Sequence, residues 1–93
     1  MRSATQEGTT TMKAVARRLI KTREALGFTQ AEFAREIGVA KNVYNPFEKG
    51  RRLITIEVAI KIRDRFQVPL DWIYCGDRAS LTVALNQRLQ TAA

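Results

Sequence analysis

The stretch from Thr29 to Gly50, TQAEFAREIGVAKNVYNPFEKG, leaves the chain few ways to fold. Thr29 and Glu32 stand at the spacing of a capping box, in which hydroxyl and carboxylate satisfy the first N–H groups of a helix reciprocally. Phe33, Ala34 and Ile37 give that helix one apolar face. Gly38 stops it, Val39 and Ala40 turn the chain, and Lys41 begins a second short element. In that element, over about 41–48, Tyr44, Phe47 and Glu48 share an inward face at i, i+3 and i+4. The pattern reads as helix, tight turn, helix.

Pro46 complicates the second helix. It has no N–H for the Asn42 carbonyl, and in a helix interior it costs about 3 kcal/mol. It also pushes Asn45 away from helical angles. Asn45 is a good N-cap, Pro46 a good first helical residue, and Glu48 follows three residues after Asn45. These residues predict a broken element: one turn at 41–44, a bend at Asn45 and a second turn from Pro46.

The flanking sequence reads as further helices. Over about 12–26, Met12, Ala16, Leu19, Arg23 and Leu26 share a face, with Val15 and Ile20 beside them, and Gly27 is placed as a C-cap. Thr55 caps a helix over about 56–66 with Ile56, Ala59, Ile60 and Phe66 inward. Pro69 is placed as the first residue of a short fifth helix carrying Leu70, Trp72 and Ile73. Leu81, Leu85 and Leu89 mark a last helix over about 80–91. The expected fold is all-α: a compact five-helix unit over 12–76, a disordered tail over 1–11, and a C-terminal helix within 77–93 as a candidate dimerisation element. Strands have no support in any period-two run.

Two charges fall on inward faces, Arg23 and Glu48. An isolated buried charge is very costly, whereas a paired and hydrogen-bonded one is tolerated. The two are expected to form an ion pair.

Composition argues against catalysis. The chain has no histidine and one cysteine, Cys75, which is expected to pack as a small apolar residue beside Trp72. The usual zinc sites and the Ser-His and Cys-His nucleophile arrangements are therefore not available. There is no phosphate-binding glycine loop. No enzyme, metal or cofactor is expected. The charge favours an anionic partner instead: 16 Lys and Arg against nine Asp and Glu give +7. No apolar run reaches the length of a membrane span. A cytoplasmic protein is expected.

The order of helices, together with Gly27-Phe28-Thr29-Gln30, Phe33-Ala34, Ile37-Gly38-Val39, Phe47-Glu48-Lys49-Gly50 and Val68-Pro69-Leu70-Asp71-Trp72-Ile73, resembles the phage-repressor-like family of Cro, lambdoid-repressor and Xre-type helix-turn-helix regulators. The resemblance covers about 18–76 and implies a lambda-repressor-like DNA-binding domain. It implies an Arg23–Glu48 pair, a phosphate contact for Gln30, and base-reading positions at Lys41 and Asn42, with Asn45 a weaker candidate. Lysine can donate to guanine and asparagine can pair with adenine in the major groove. Lys49, Arg51 and Arg52, with Arg17 on the first helix, are candidates for phosphate contacts. Lys61, Arg63 and Arg65 read as a solvated face. The family implies a repressor that binds double-stranded operator DNA as a homodimer, for which Leu81, Leu85 and Leu89 are the candidate contact. A second reading is a protein-interaction module on the same scaffold, with base reading weakened by Pro46.

Overall fold

The structure, a computed structural model, describes residues 10–91. The expectation of a disordered tail falls mostly on residues 1–9, which lie outside that range. Among the described residues all regular structure is helical: α1 Met12–Leu26, α2 Gln30–Glu36, α3 Lys41–Glu48, α4 Ile56–Phe66, α5 Leu70–Cys75 and α6 Val83–Thr91.

Local chemistry sets most boundaries. Thr11 belongs to the domain rather than to a tail, because its hydroxyl caps α1 by accepting from the Ala14 N–H at 3.1 Å. Gly27 closes α1 at φ 87, and its N–H donates to the Arg23 and Glu24 carbonyls. Thr29 and Glu32 form the reciprocal capping box of α2. Gly38 carries the α2–α3 turn at φ 74, a left-handed conformation that only glycine adopts at no steric cost. Pro69 is the N-cap of α5 rather than its first residue. The last helix starts at Val83, not near 80, because the Thr82 hydroxyl accepts from the Leu85 N–H at 3.1 Å and so marks its first turn.

One core joins all six helices, with Val15, Leu19, Phe33, Tyr44, Phe47, Ile54, Ile62 and Trp72 inside it. Aromatic rings fill its centre. Phe33 stacks on Phe66 with centroids 5.2 Å apart, Phe28 meets both, and Tyr44 lies 5.5 Å from Phe33. These contacts lock α2, α3 and α4 about the turn.

Several expectations are corrected. Helix α3 runs without interruption through Pro46. The cost is confined to the Asn42 carbonyl, which belongs to an exposed residue and can take water instead. Tyr44 before the proline and Phe47 after it are both buried, so packing holds the two turns on one axis. The cap predicted at Asn45 is not used, because Glu48 and Asn45 are committed to other partners. Met12 and Ile56 are exposed at 45% and 53%, since each opens its helix before the core begins. Cys75 is exposed: it ends α5, while Trp72 and Ile73 face inward. Leu85 and Leu89 are buried in the chain's own core, and Leu81 packs against it. The leucine stripe is thus an intramolecular contact rather than a free dimer surface.

Candidate nucleic-acid interface

Four polar side chains brace the helix-turn-helix from behind. Arg23 Nε donates to Glu48 Oε2 at 2.8 Å and Arg23 Nη2 to Glu48 Oε1 at 3.1 Å, a bidentate pair linking α1 to the end of α3. Arg23 Nη1 also holds the Phe28 carbonyl at 3.0 Å. Glu48 raises the ionisation of the guanidinium, first through this hydrogen bond. Gln30 Nε2 donates to Glu48 Oε1 at 3.1 Å, and Asn45 Nδ2 donates to Gln30 Oε1 at 2.7 Å. A carboxylate only accepts, so Glu48 fixes which end of the Gln30 amide faces it, and that in turn orients Asn45. The network fixes α2 against α3.

This arrangement separates the expected DNA-facing residues into two groups. Gln30 and Asn45 are half-buried and spend their side-chain amides on each other and on Glu48. The Glu32 carboxylate, accepting the Thr29 N–H at 2.9 Å, already occupies the start of α2. That hydrogen bond holds the Glu32 carboxyl below the ordinary glutamate value. Lys41 and Asn42, by contrast, are exposed at the start of α3, and their side chains make no hydrogen bond to any described residue. The N-cap of α3, Ala40, offers no side-chain bond either.

Lys49, Arg51 and Arg52 follow the end of α3 on an exposed loop. Arg51 and Arg52 are positioned by their own backbone, whose N–H groups donate to the Pro46 carbonyl at 3.1 and 3.4 Å. Gly50 packs this loop onto α1 beside Lys13 and Ala16. Arg17, one turn beyond Lys13, is exposed on the same helix. None of these cations is in an ion pair with a described residue, whereas Arg63 and Arg65 pair with Asp64 and Glu36.

Two features were not foreseen. Val43 is 49% exposed on α3 next to Asn42. It is an exposed apolar side chain near the start of α3, and apolar side chains in a major groove can meet a thymine methyl group. Arg18, beside the exposed Arg17 on α1, is only 5% exposed. Its Nε and Nη2 cap α5 by donating to the Ile73 and Tyr74 carbonyls at 3.0 Å each. Beside it, Trp72 Nε1 donates to Thr22 Oγ1 at 2.9 Å, and that hydroxyl donates to the Arg18 carbonyl at 2.6 Å.

A capped helix, a glycine turn and a braced second helix with an exposed basic start define a helix-turn-helix protein. The helix-turn-helix family model matches residues 19–73, and this chain belongs to that family. It is 37% identical over 62 residues to the cryptic phage CTXphi transcriptional repressor RstR of Vibrio cholerae, a match covering 67% of this chain and 54% of that protein. It is 36% identical over 53 residues to the Pyrococcus furiosus "Putative HTH-type transcriptional regulatory protein PF1851", covering 57% of this chain and 17% of that protein. The match thus spans about half of the first relative's length and far less of the second's. No solved structure matches the chain significantly. No described helix is long and apolar enough to cross a membrane.

Proposed function

We propose that this chain is a sequence-specific DNA-binding transcriptional regulator, a repressor acting as a homodimer on double-stranded operator DNA. The observation that carries the reading is the exposed, unpaired start of α3, Lys41 and Asn42, rigidly backed by the Arg23–Glu48–Gln30–Asn45 network. In the major groove Lys41 would reach guanine, Asn42 adenine and Val43 a thymine methyl. Lys49, Arg51, Arg52 and Arg17 would neutralise phosphates and set the register without reading sequence. Gln30 and Asn45 would hold α3 in position, with any contact of their own to DNA secondary. A single module reads few base pairs, so two copies on half-sites about 34–36 Å apart supply the specificity.

Selection of bound sites from a random duplex library tests this. A defined, two-fold symmetric site preferred by about 10³-fold or more over random DNA is expected. Asn42→Ala should then cost about 1–3 kcal/mol at one base pair of each half-site. Lys49→Gln should weaken all sequences alike and reduce the salt dependence. Equal, weak affinity for all sequences would overturn the proposal. It would favour a protein-interaction module on this scaffold, in keeping with Pro46 having no N–H and Asn45 being engaged internally.

A further inference from the structure

A cavity of about 170 Å3 opens between α1, α5 and the segment that follows α5. Its lining includes Arg17, Arg18, Lys21, Arg78 and the Trp72 ring, and no carboxylate among the described residues. It lies on a different flank of α1 from the reading element. Arg23 and Ala16 face α3 and the Gly50 loop, whereas Arg18 faces the end of α5. Of the residues proposed above for DNA phosphates, only Arg17 reaches its rim, and Lys49, Arg51 and Arg52 do not line it.

Like charges converge on one concavity only at a cost, unless an anion offsets it. Arg17 and Lys21 are exposed, and their side chains make no hydrogen bond to a described residue. Arg78 is held in place. Its guanidinium lies over the Trp72 ring at 5.3 Å, and its Nε and Nη2 both donate to Asn86 Oδ1, at 3.1 and 2.7 Å. An amide oxygen orients the group without neutralising it. Stacking and the Asn86 bond thus fix a charged fork in advance of any ligand. Trp72 is fixed likewise by its bond to Thr22.

We propose that this cavity is a binding site for a small phosphate-type oxyanion, separate from the DNA-reading face. Arg78 and Lys21 grip the oxygens and the indole of Trp72 forms the floor.

Trp72 is the only tryptophan, so its fluorescence reports on this cavity alone. Pyrophosphate titrated into the full chain at constant ionic strength should give a saturable change in that emission. The double variant Lys21→Gln, Arg78→Gln should weaken the apparent affinity tenfold or more, and Lys61→Gln, away from the cavity, should leave it unchanged. Should the double variant lose helicity, Lys21→Gln alone carries the test, because the Lys21 side chain makes no hydrogen bond to a described residue. A linear, unsaturable response, or equal affinity in the variants, overturns the proposal. A short duplex of random sequence separates the two sources of phosphate. If pyrophosphate saturates the site while the duplex leaves Trp72 unchanged, a free phosphate-bearing molecule is the ligand. If the duplex competes with pyrophosphate, the cavity is a DNA-backbone contact and its separateness from DNA binding is overturned. Failure to select an operator would count against the DNA-reading proposal and leave this titration unaffected.

Discussion

Arg23 and Glu48 meet in a two-pronged ion pair, 2.8 and 3.1 Å long, between the last turn of α1 and the last residue of α3. The Glu48 side chain is 3% exposed and that of Arg23 15%, so water does little to screen the pair. Glu48→Gln keeps the shape and one acceptor oxygen but removes the charge. Breaking a buried pair typically costs about 3–5 kcal/mol. Urea unfolding should show a loss near the lower end of that range, because Arg23 is not fully desolvated. A loss under about 0.5 kcal/mol would show the pair to be no more than a surface contact.

Tyr44 offers the opposite case. Its ring is fully buried, and its hydroxyl, close to the Glu48 carboxylate, makes no hydrogen bond of good geometry to a described residue. Burial, then the neighbouring Glu48 carboxylate, pushes its ionisation far up, so the hydroxyl stays neutral. Tyr44→Phe removes a desolvated polar group while keeping the ring contacts with Phe33 and Phe47. A buried unsatisfied group costs about 1–3 kcal/mol, so the variant should be as stable as the parent or gain about 1 kcal/mol. A lower thermal midpoint would mean that the hydroxyl makes a useful bond.

Pro46 stands inside α3. Pro46→Ala restores an N–H for the Asn42 carbonyl and removes the ring clash. Part of the roughly 3 kcal/mol cost of an interior proline should be recovered, about 1–2 kcal/mol. The rest is offset by the greater freedom of the unfolded alanine chain. Circular dichroism melting would measure it, and a drop in stability would mean that the proline ring packs favourably where it is.

Glu32 sets a pH dependence. The Thr29 N–H holds its carboxyl below the ordinary value in the folded chain. Its contribution is therefore present above the ordinary glutamate range and is lost as pH falls through the folded value. Carboxyl-carbon NMR should place its midpoint below that of an unstructured peptide. In Thr29→Ala the capping box loses its hydroxyl half and the midpoint should rise. An unchanged midpoint would separate the shift from the cap.

Local signals were well expressed in the sequence because the groups that satisfy them lie three or four residues apart. Thr29 and Glu32, Gly27, Gly38 and Thr55 each mark a boundary that the structure uses. Even the Arg23–Glu48 pair was legible, since charge on an apolar face demands a partner. Arg18 was not: its partners are carbonyls at Ile73 and Tyr74, 55 and 56 residues away, and backbone atoms leave no mark in composition.

The sequence by itself determined the helices, the glycine turn between α2 and α3, and the basic start of α3, since capping, periodicity and charge are local properties. Only the tertiary structure decided what each polar residue is free to do. Gln30 and Asn45 became a brace once α2 and α3 met over Glu48. Helix α3 stayed whole through Pro46 once Tyr44 and Phe47 were buried on either side. The leucines of α6 were drawn into the chain's own core. In each case burial across distant segments outweighed a local preference of a few kcal/mol at most.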